Sequence, residues 1–189
     1  MKVSGSIIQA WQRCKRAFYF RSPEYGLGFT TAHDNNAIRM GNWGHYCLGL
    51  VLKGATYEEA IMATISHQHK LWQQLNVEPP EDYVELETRF SNLMYAHKLW
   101  QQADKSAYRS SNLEVLQAEQ RWEIEHRGIT ITGQWDAIVR LKDEGSVFVL
   151  ERKVTKHPDR MLESAQWDIQ PRLYVWAAQQ LFPEDTVVG

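Results

Sequence analysis

From Leu113 onward the hydrophobic pattern changes its period. Residues 113 to 126, 129 to 141 and 147 to 154 read with a period of two, as strands with two unlike faces do. Before Leu113 the apolar residues recur at helical spacing, so helices come first and strands follow, which predicts an α/β or α+β fold. Ser6 can cap a first helix with Ile7, Ile8, Trp11, Cys14 and Phe18 on one stripe, ended by "RSPEYGLG"; a second helix covers Ala37 to Lys53. Thr56 and Glu59 form a capping box that opens a third helix through Leu75, with Ile61, Ile65, Trp72 and Leu75 on one face. "NVEPPEDY" separates it from a fourth, striped by Leu86, Phe90, Leu93 and His97. A last helix is expected over about 164 to 181 with Pro171 inside it, and "DTVVG" reads as the start of another strand, so the native chain is expected to continue beyond Gly189.

The whole of 1 to 189 reads as one domain, with a helical half over about 4 to 110 and a sheet half over about 111 to 189. A chain of this length buries roughly 70% of its unfolded surface. Its net charge of -2 provides no global attraction to an anionic partner, so such a partner must be held by a local patch or a metal ion. Two cysteines, Cys14 and Cys47, are too few for a disulfide framework, a Cys-only zinc site or an iron-sulfur cluster, which suits a reducing cytoplasmic setting. No apolar run approaches the roughly 18 residues of a membrane span, and the N-terminus lacks the apolar core of a signal peptide.

The stretch "FVLERKV" sets three charges inside the last apolar strand. Alternation places Glu151 and Lys153 on one face and Phe148, Leu150, Arg152 and Val154 on the other, which leaves Arg152 without an obvious partner. On the preceding strand, "ITITGQWDAIVRL", Asp136 lies on the less apolar face. With Lys142 to Gly145 as a four-residue hairpin loop, Leu141 faces Ser146 and Asp136 faces Glu151. Directly opposed Cβ atoms are about 4.5 to 5.5 Å apart, where two carboxylates repel unless one is protonated or a cation lies between them. Such oxygens suit a hard divalent ion such as Mg²⁺, but a solvated ladder around Lys153 fits these two strands equally well.

Other segments bear on that choice. In "MGNWGHYCLG" His45 sits among Gly41, Gly44 and Gly49, and glycines in a helix suggest that something approaches closely. Gln170 and Tyr174 are four apart on the last helix and share a face. Lys156, His157 and Arg160 follow the charged strand, and with Arg172 they form a basic patch suited to phosphates.

In order, Gly41-x-x-x-His45, Gly133-x-x-Asp136, Glu151-x-Lys153 and Gln170-x-x-x-Tyr174 resemble the motifs of the PD-(D/E)XK nucleases, in particular the RecB-type exonuclease branch, over about residues 4 to 181. The resemblance implies a central mixed β-sheet flanked by helices, a restriction-endonuclease-like core with an N-terminal helical segment. It implies that His45, Asp136, Glu151 and the main-chain carbonyl of Arg152 hold Mg²⁺ or Mn²⁺, with Lys153 acting on the attacking water and Gln170 and Tyr174 positioning Lys153 or the strand. It further implies DNA as substrate, a role in recombination or repair, a phage source, and a recombinase or helicase as partner. "SIIQAWQRCKRAFYFR" resembles the segment that in some relatives supplies the first cysteine of an iron-sulfur cluster; without the later cysteines no cluster is expected, and Cys14 reads as a packed remnant. Pro171 predicts that the last helix starts beside Gln170. Glu119 matches an acidic position of relatives, and its shared face with Arg121 and Glu123 suggests a supporting role rather than ligation. The alternative function is a catalytically degenerate DNA-binding module on the same fold.

Overall fold

The computed structural model describes residues 2–22, 36–104, 110–153, 155, 158–165 and 167–188; the helical segment stops at Arg21 with Ser22 as its cap, at the start of "RSPEYGLG", whereas the rest of that stretch, and Val154, Lys156 and His157, lie outside the described residues. A short strand β1 (Lys2–Ser4) leads into α1 (Gly5–Arg13) and α2 (Lys15–Arg21), followed by α3 (Asn36–Leu52), α4 (Tyr57–Leu75) and α5 (Tyr83–Ala103). The sheet half then runs β2 (Leu113–His126), β3 (Ile129–Leu141), β4 (Val147–Leu150), α6 (Pro158–Ala165), α7 (Ile169–Leu181) and β5 (Val187–Val188). Antiparallel β2 pairs along the whole of β3, so β1 and β4 must share the other edge of β3. There β1 runs parallel to its N-terminal part and β4 antiparallel to its C-terminal part, while β5 adds in parallel outside β4. The result is the expected mixed sheet flanked by helices, with β3 at its centre.

Local chemistry explains most boundaries. The Thr56 capping box is formed in full, with Glu59 N–H donating to the Thr56 hydroxyl and the Glu59 carboxylate accepting from the Thr56 N–H. Asn76 ends α4 in the left-handed conformation at φ 50°. The β3–β4 hairpin has the expected register: Leu141 N–H donates to Ser146 O at 2.9 Å, and Gly145 makes the turn at φ +74°.

Several expectations are corrected. The first helix is capped by Ser4 rather than Ser6 and breaks at Cys14, whose extended backbone (φ -163°) ends α1 while its sulfur accepts the Ala17 N–H that opens α2. Cys14 is exposed rather than packed, and Trp11 on the same stripe is 47% exposed. The strand expected over 147 to 154 ends at Leu150. The last helix is two, because Asp168 accepts the Gln170 N–H at 2.9 Å and caps a new start at Ile169. Pro171 therefore falls in the first turn, where a missing N–H leaves no helical bond unmade. On α5, Leu86, Phe90 and Met94 are buried, whereas Leu93 faces outward.

Two cores result. One joins α3, α4 and α5 through Trp43, Cys47, Ile61, Trp72, Leu86 and Phe90. The other lies under α7 and joins Trp122, Trp135, Ile138, Val147, Tyr174 and Ala177. Among the described residues no helix is long and apolar enough to cross a membrane.

Candidate active site

The candidate site forms where α3 meets the middle of β3. Asp136 is only 7% exposed, since β3 is covered through its central residues. A carboxylate buried this deeply needs hydrogen bonds. It has two: His45 Nδ1 lies 3.0 Å from Asp136 Oδ1, and the Arg152 backbone N–H donates to Asp136 Oδ2 at 2.6 Å. Burial pushes the Asp136 carboxyl up, but these two donors outweigh it and hold the group below its ordinary value. The same bond raises the His45 imidazole above its usual value, against the opposing effect of burial.

The hairpin is paired as far as Ala137 with Leu150, so Asp136 and Glu151, the partners expected from the sequence, lie one residue beyond the last pair, past the end of β4. Past the end of β4, Glu151 forms an ion pair with Lys153 and accepts a hydrogen bond from Gln170 Nε2 at 3.2 Å. Gln170 Nε2 also donates to the Tyr174 hydroxyl at 2.8 Å, and Lys153 Nζ is 3.5 Å from Gln170 Oε1. Burial raises the Glu151 carboxyl above its ordinary value despite Lys153. For Lys153, burial acts downward, but the Glu151 carboxylate prevails and keeps the ammonium above the ordinary lysine value. At neutral pH the site therefore presents a firmly charged cation bracketed by a carboxylate and an amide.

Glu119, expected from the sequence in a supporting role, stands next to two of the expected ligands. His45, Glu119 and Asp136 each offer a ligand atom within 4.8 Å of the other two, and Glu151 is not among the three. An irregularity between Val115 and Gln117 shifts the β2–β3 register, and Glu119 adopts φ 52° between residues paired with Trp135 and Ala137. The pairing is regular again from Ala118 onward, and Glu119 and Arg121 both bond the Gln134 side chain, so they share a face as their spacing suggests. Gly49 explains the glycine signal on α3: a Cβ there would lie 2.8 Å from Glu119 Cγ, so the bare helix surface admits this side chain. Gly41 has nothing within 4 Å of its Cβ position.

The residues fit a divalent ion. Glu119 Oε1 is buried and has no hydrogen-bond partner among the described residues, although an unpaired buried carboxylate oxygen is costly. A cation beside His45 and Asp136 would satisfy it, and imidazole with two carboxylates suits Mg²⁺ or Mn²⁺.

Gly133, the first residue of the Gly-x-x-Asp motif, serves packing. Trp122 is its direct cross-strand partner, and a Cβ at Gly133 would fall 2.3 Å from Trp122 Cζ2. The indole thus lies over the strand, stacked on Trp135 at 5.6 Å and edge-on to Tyr174 at 6.0 Å. Through Tyr174 this aromatic layer supports Gln170.

Arg152 reaches the site through its N–H, and its side chain finds company if not hydrogen bonds. Nε and Nη2 are buried without a hydrogen-bond partner among the described residues. Burial pulls the guanidinium below the ordinary arginine value, opposed by the charges of Asp136 and Glu119. Of the basic patch, Lys156 and His157 lie outside the described residues, as does the side chain of Arg160 in α6; Arg172 is exposed on α7.

A family model for the PD-(D/E)XK nuclease superfamily matches residues 2–188. No curated protein matches the chain. A mixed sheet flanked by helices, a central acidic hairpin and a match along almost the entire length agree: the chain belongs to the PD-(D/E)XK nuclease superfamily.

Proposed function

We propose that this protein is a Mg²⁺-dependent deoxyribonuclease of the RecB-type branch, an exonuclease acting in the cytoplasm in recombination or repair. Its source would be a phage, and its partner a recombinase or helicase. The observation that carries the reading is the junction of a His45, Glu119 and Asp136 ligand set with the Glu151, Lys153 and Gln170 cluster. His45, Asp136 and Glu119 would hold the ion, with Glu151 and the Arg152 carbonyl completing the set. The ion would supply acidification of water and polarisation of the phosphodiester.

The chain's own residues do the rest. Lys153 stays protonated beside Glu151, so its ammonium offsets the negative charge that grows on the phosphate oxygens. Gln170 touches Glu151 and Tyr174, and lies near Lys153, which limits the positions the ammonium can take. Tyr174, anchored on Trp122, fixes Gln170 in turn. Lys156, His157, Arg160 and Arg172 would carry the flanking phosphates. No motif residue is missing, which weighs against a degenerate binding module.

The test is to incubate linear and closed-circular DNA with the protein and Mg²⁺ or Mn²⁺, with and without EDTA, beside Glu151→Gln and Lys153→Ala. Linear DNA is degraded, EDTA stops it, and each variant loses about 100-fold or more. Degradation that persists in both variants would sink the assigned site. Metal-independent DNA binding without cleavage would favour the binding module.

A further inference from the structure

Between α1 and the turn that enters α7 lies a recess of about 340 Å³, lined by Gln9, Gln12, Arg13, Trp167, Asp168 and Ile169. That is at the small end of the roughly 300–1,000 Å³ typical of ligand pockets. Trp167 is 77% exposed. A single exposed ring is ordinary, but its surroundings give this one a direction.

The first observation is charge. Residues 5–22 contain Arg13, Lys15, Arg16 and Arg21 and no acidic residue, in a chain whose net charge is -2. The carboxylate in the recess, Asp168, is engaged: it accepts the Gln170 N–H at 2.9 Å and a hydrogen bond from the Gln9 amide. The second is continuity. Asp168 is two residues from Gln170, whose amide contacts Glu151, so the recess adjoins the cluster around Lys153. The third is the lining itself. A flat ring, a guanidinium and two primary amides offer a base a stacking face, edge hydrogen bonds and a phosphate partner. An apolar peptide would find Ile169 as the only aliphatic side chain among the six.

We infer that this recess is a subsite for one unpaired nucleobase, stacked on Trp167 with Arg13 at the adjoining phosphate, so that the strand led to the active site is single-stranded. The inference rests on the nuclease reading and names the form of its substrate. Stacking on a protein ring is tolerant of base identity, so the subsite imposes strandedness rather than sequence.

The test is a binding cycle in EDTA, where no metal-dependent cleavage occurs. Fluorescein-labelled oligothymidylate and a matched oligonucleotide with abasic sites are titrated with the wild-type chain, Trp167→Ala, Trp167→Phe and Arg13→Gln. Trp167→Ala weakens binding of oligothymidylate by roughly 5- to 150-fold. It changes abasic binding far less, Trp167→Phe recovers most of the loss, and Arg13→Gln weakens both oligonucleotides and flattens the salt dependence. Equal losses on both oligonucleotides, no loss with Trp167→Ala, or wild-type protein that ignores single strands would each overturn the inference. A wild type that binds oligothymidylate with this pattern yet cleaves nothing in Mg²⁺ or Mn²⁺ supports the subsite and removes the nuclease reading.

Discussion

Replacing Gly133 by alanine tests whether the aromatic layer positions the site. The new Cβ would lie 2.3 Å from Trp122 Cζ2 and 2.6 Å from Cε2, whereas ordinary contact begins near 3.4 Å, so the indole must retreat by about 1 Å. It has little freedom to do so, because Trp135 stacks on it at 5.6 Å and Tyr174 meets it edge-on at 6.0 Å. Overpacking of this kind costs about 1–3 kcal/mol, part of it in two aromatic contacts of roughly 0.5–1.5 kcal/mol each. In a domain of this size each kcal/mol moves Tm by about 2–4 °C, so the variant should melt roughly 2–12 °C lower. Thermal unfolding followed by circular dichroism and tryptophan emission measures this, and cleavage should fall with it because Tyr174 carries Gln170. Gly41→Ala is the control: its Cβ meets nothing within 4 Å, so removing a helical glycine should stabilise by about 0.5–1 kcal/mol. Gly133→Ala melting at the wild-type temperature with unchanged emission would refute the argument.

Other outcomes follow from the same geometry. In the native protein a thiol reagent should label Cys14 and spare Cys47, which is fully buried and whose thiol burial pushes up to about 11; denaturation should make both reactive. In EDTA the His45–Asp136 pair should stabilise most between about pH 4 and 6.5. The His45 pKa is raised above 6.5, so its contribution is complete below that value and fades as pH rises through the folded pKa; that of Asp136 is lowered below 3.8, so its contribution is lost as pH falls through the folded value. His45→Asn should therefore lower Tm more at about pH 5.5 than at about pH 9, and an equal loss at both would contradict the pairing. Gly49→Ala should displace Glu119, whose Cγ would lie 2.8 Å from the new Cβ, and weaken Mn²⁺ binding; unchanged binding would place Glu119 outside the metal set.

The sequence carried the site best where local rules act alone. A four-residue loop with a glycine at positive φ is enough to set the β3–β4 register, which pairs as counted from Arg140 with Val147 to Ala137 with Leu150. Spacing of four residues likewise brought Gln170 to Tyr174. What escaped depends on distant neighbours. Three-residue β1 exists because β3 offers it a parallel partner at Thr130 to Thr132, and nothing in "KVS" declares that. The approach of Glu119 to His45 and Asp136 depends on the β2–β3 pairing and on α3, which the spacing within β2 alone does not reveal. Arg152 lies past the end of β4 at Leu150, yet its guanidinium is buried without a hydrogen-bond partner among the described residues, as its place on the apolar face suggests. The glycines of α3 signalled close approach, but only the three-dimensional fold identifies Glu119 as what approaches Gly49.

Direct titration of Mn²⁺ into the wild-type chain and into Asp136→Asn, followed by electron paramagnetic resonance of the free ion, tests the central claim without any assumption about substrate. Asp136 joins the His45 and Glu119 ligand atoms to the Glu151 hairpin, so its loss should weaken binding by at least about 10-fold, with His45→Asn and Glu119→Gln each giving a measurable part of that effect. Mn²⁺ bound equally well by the wild type and Asp136→Asn would contradict the account.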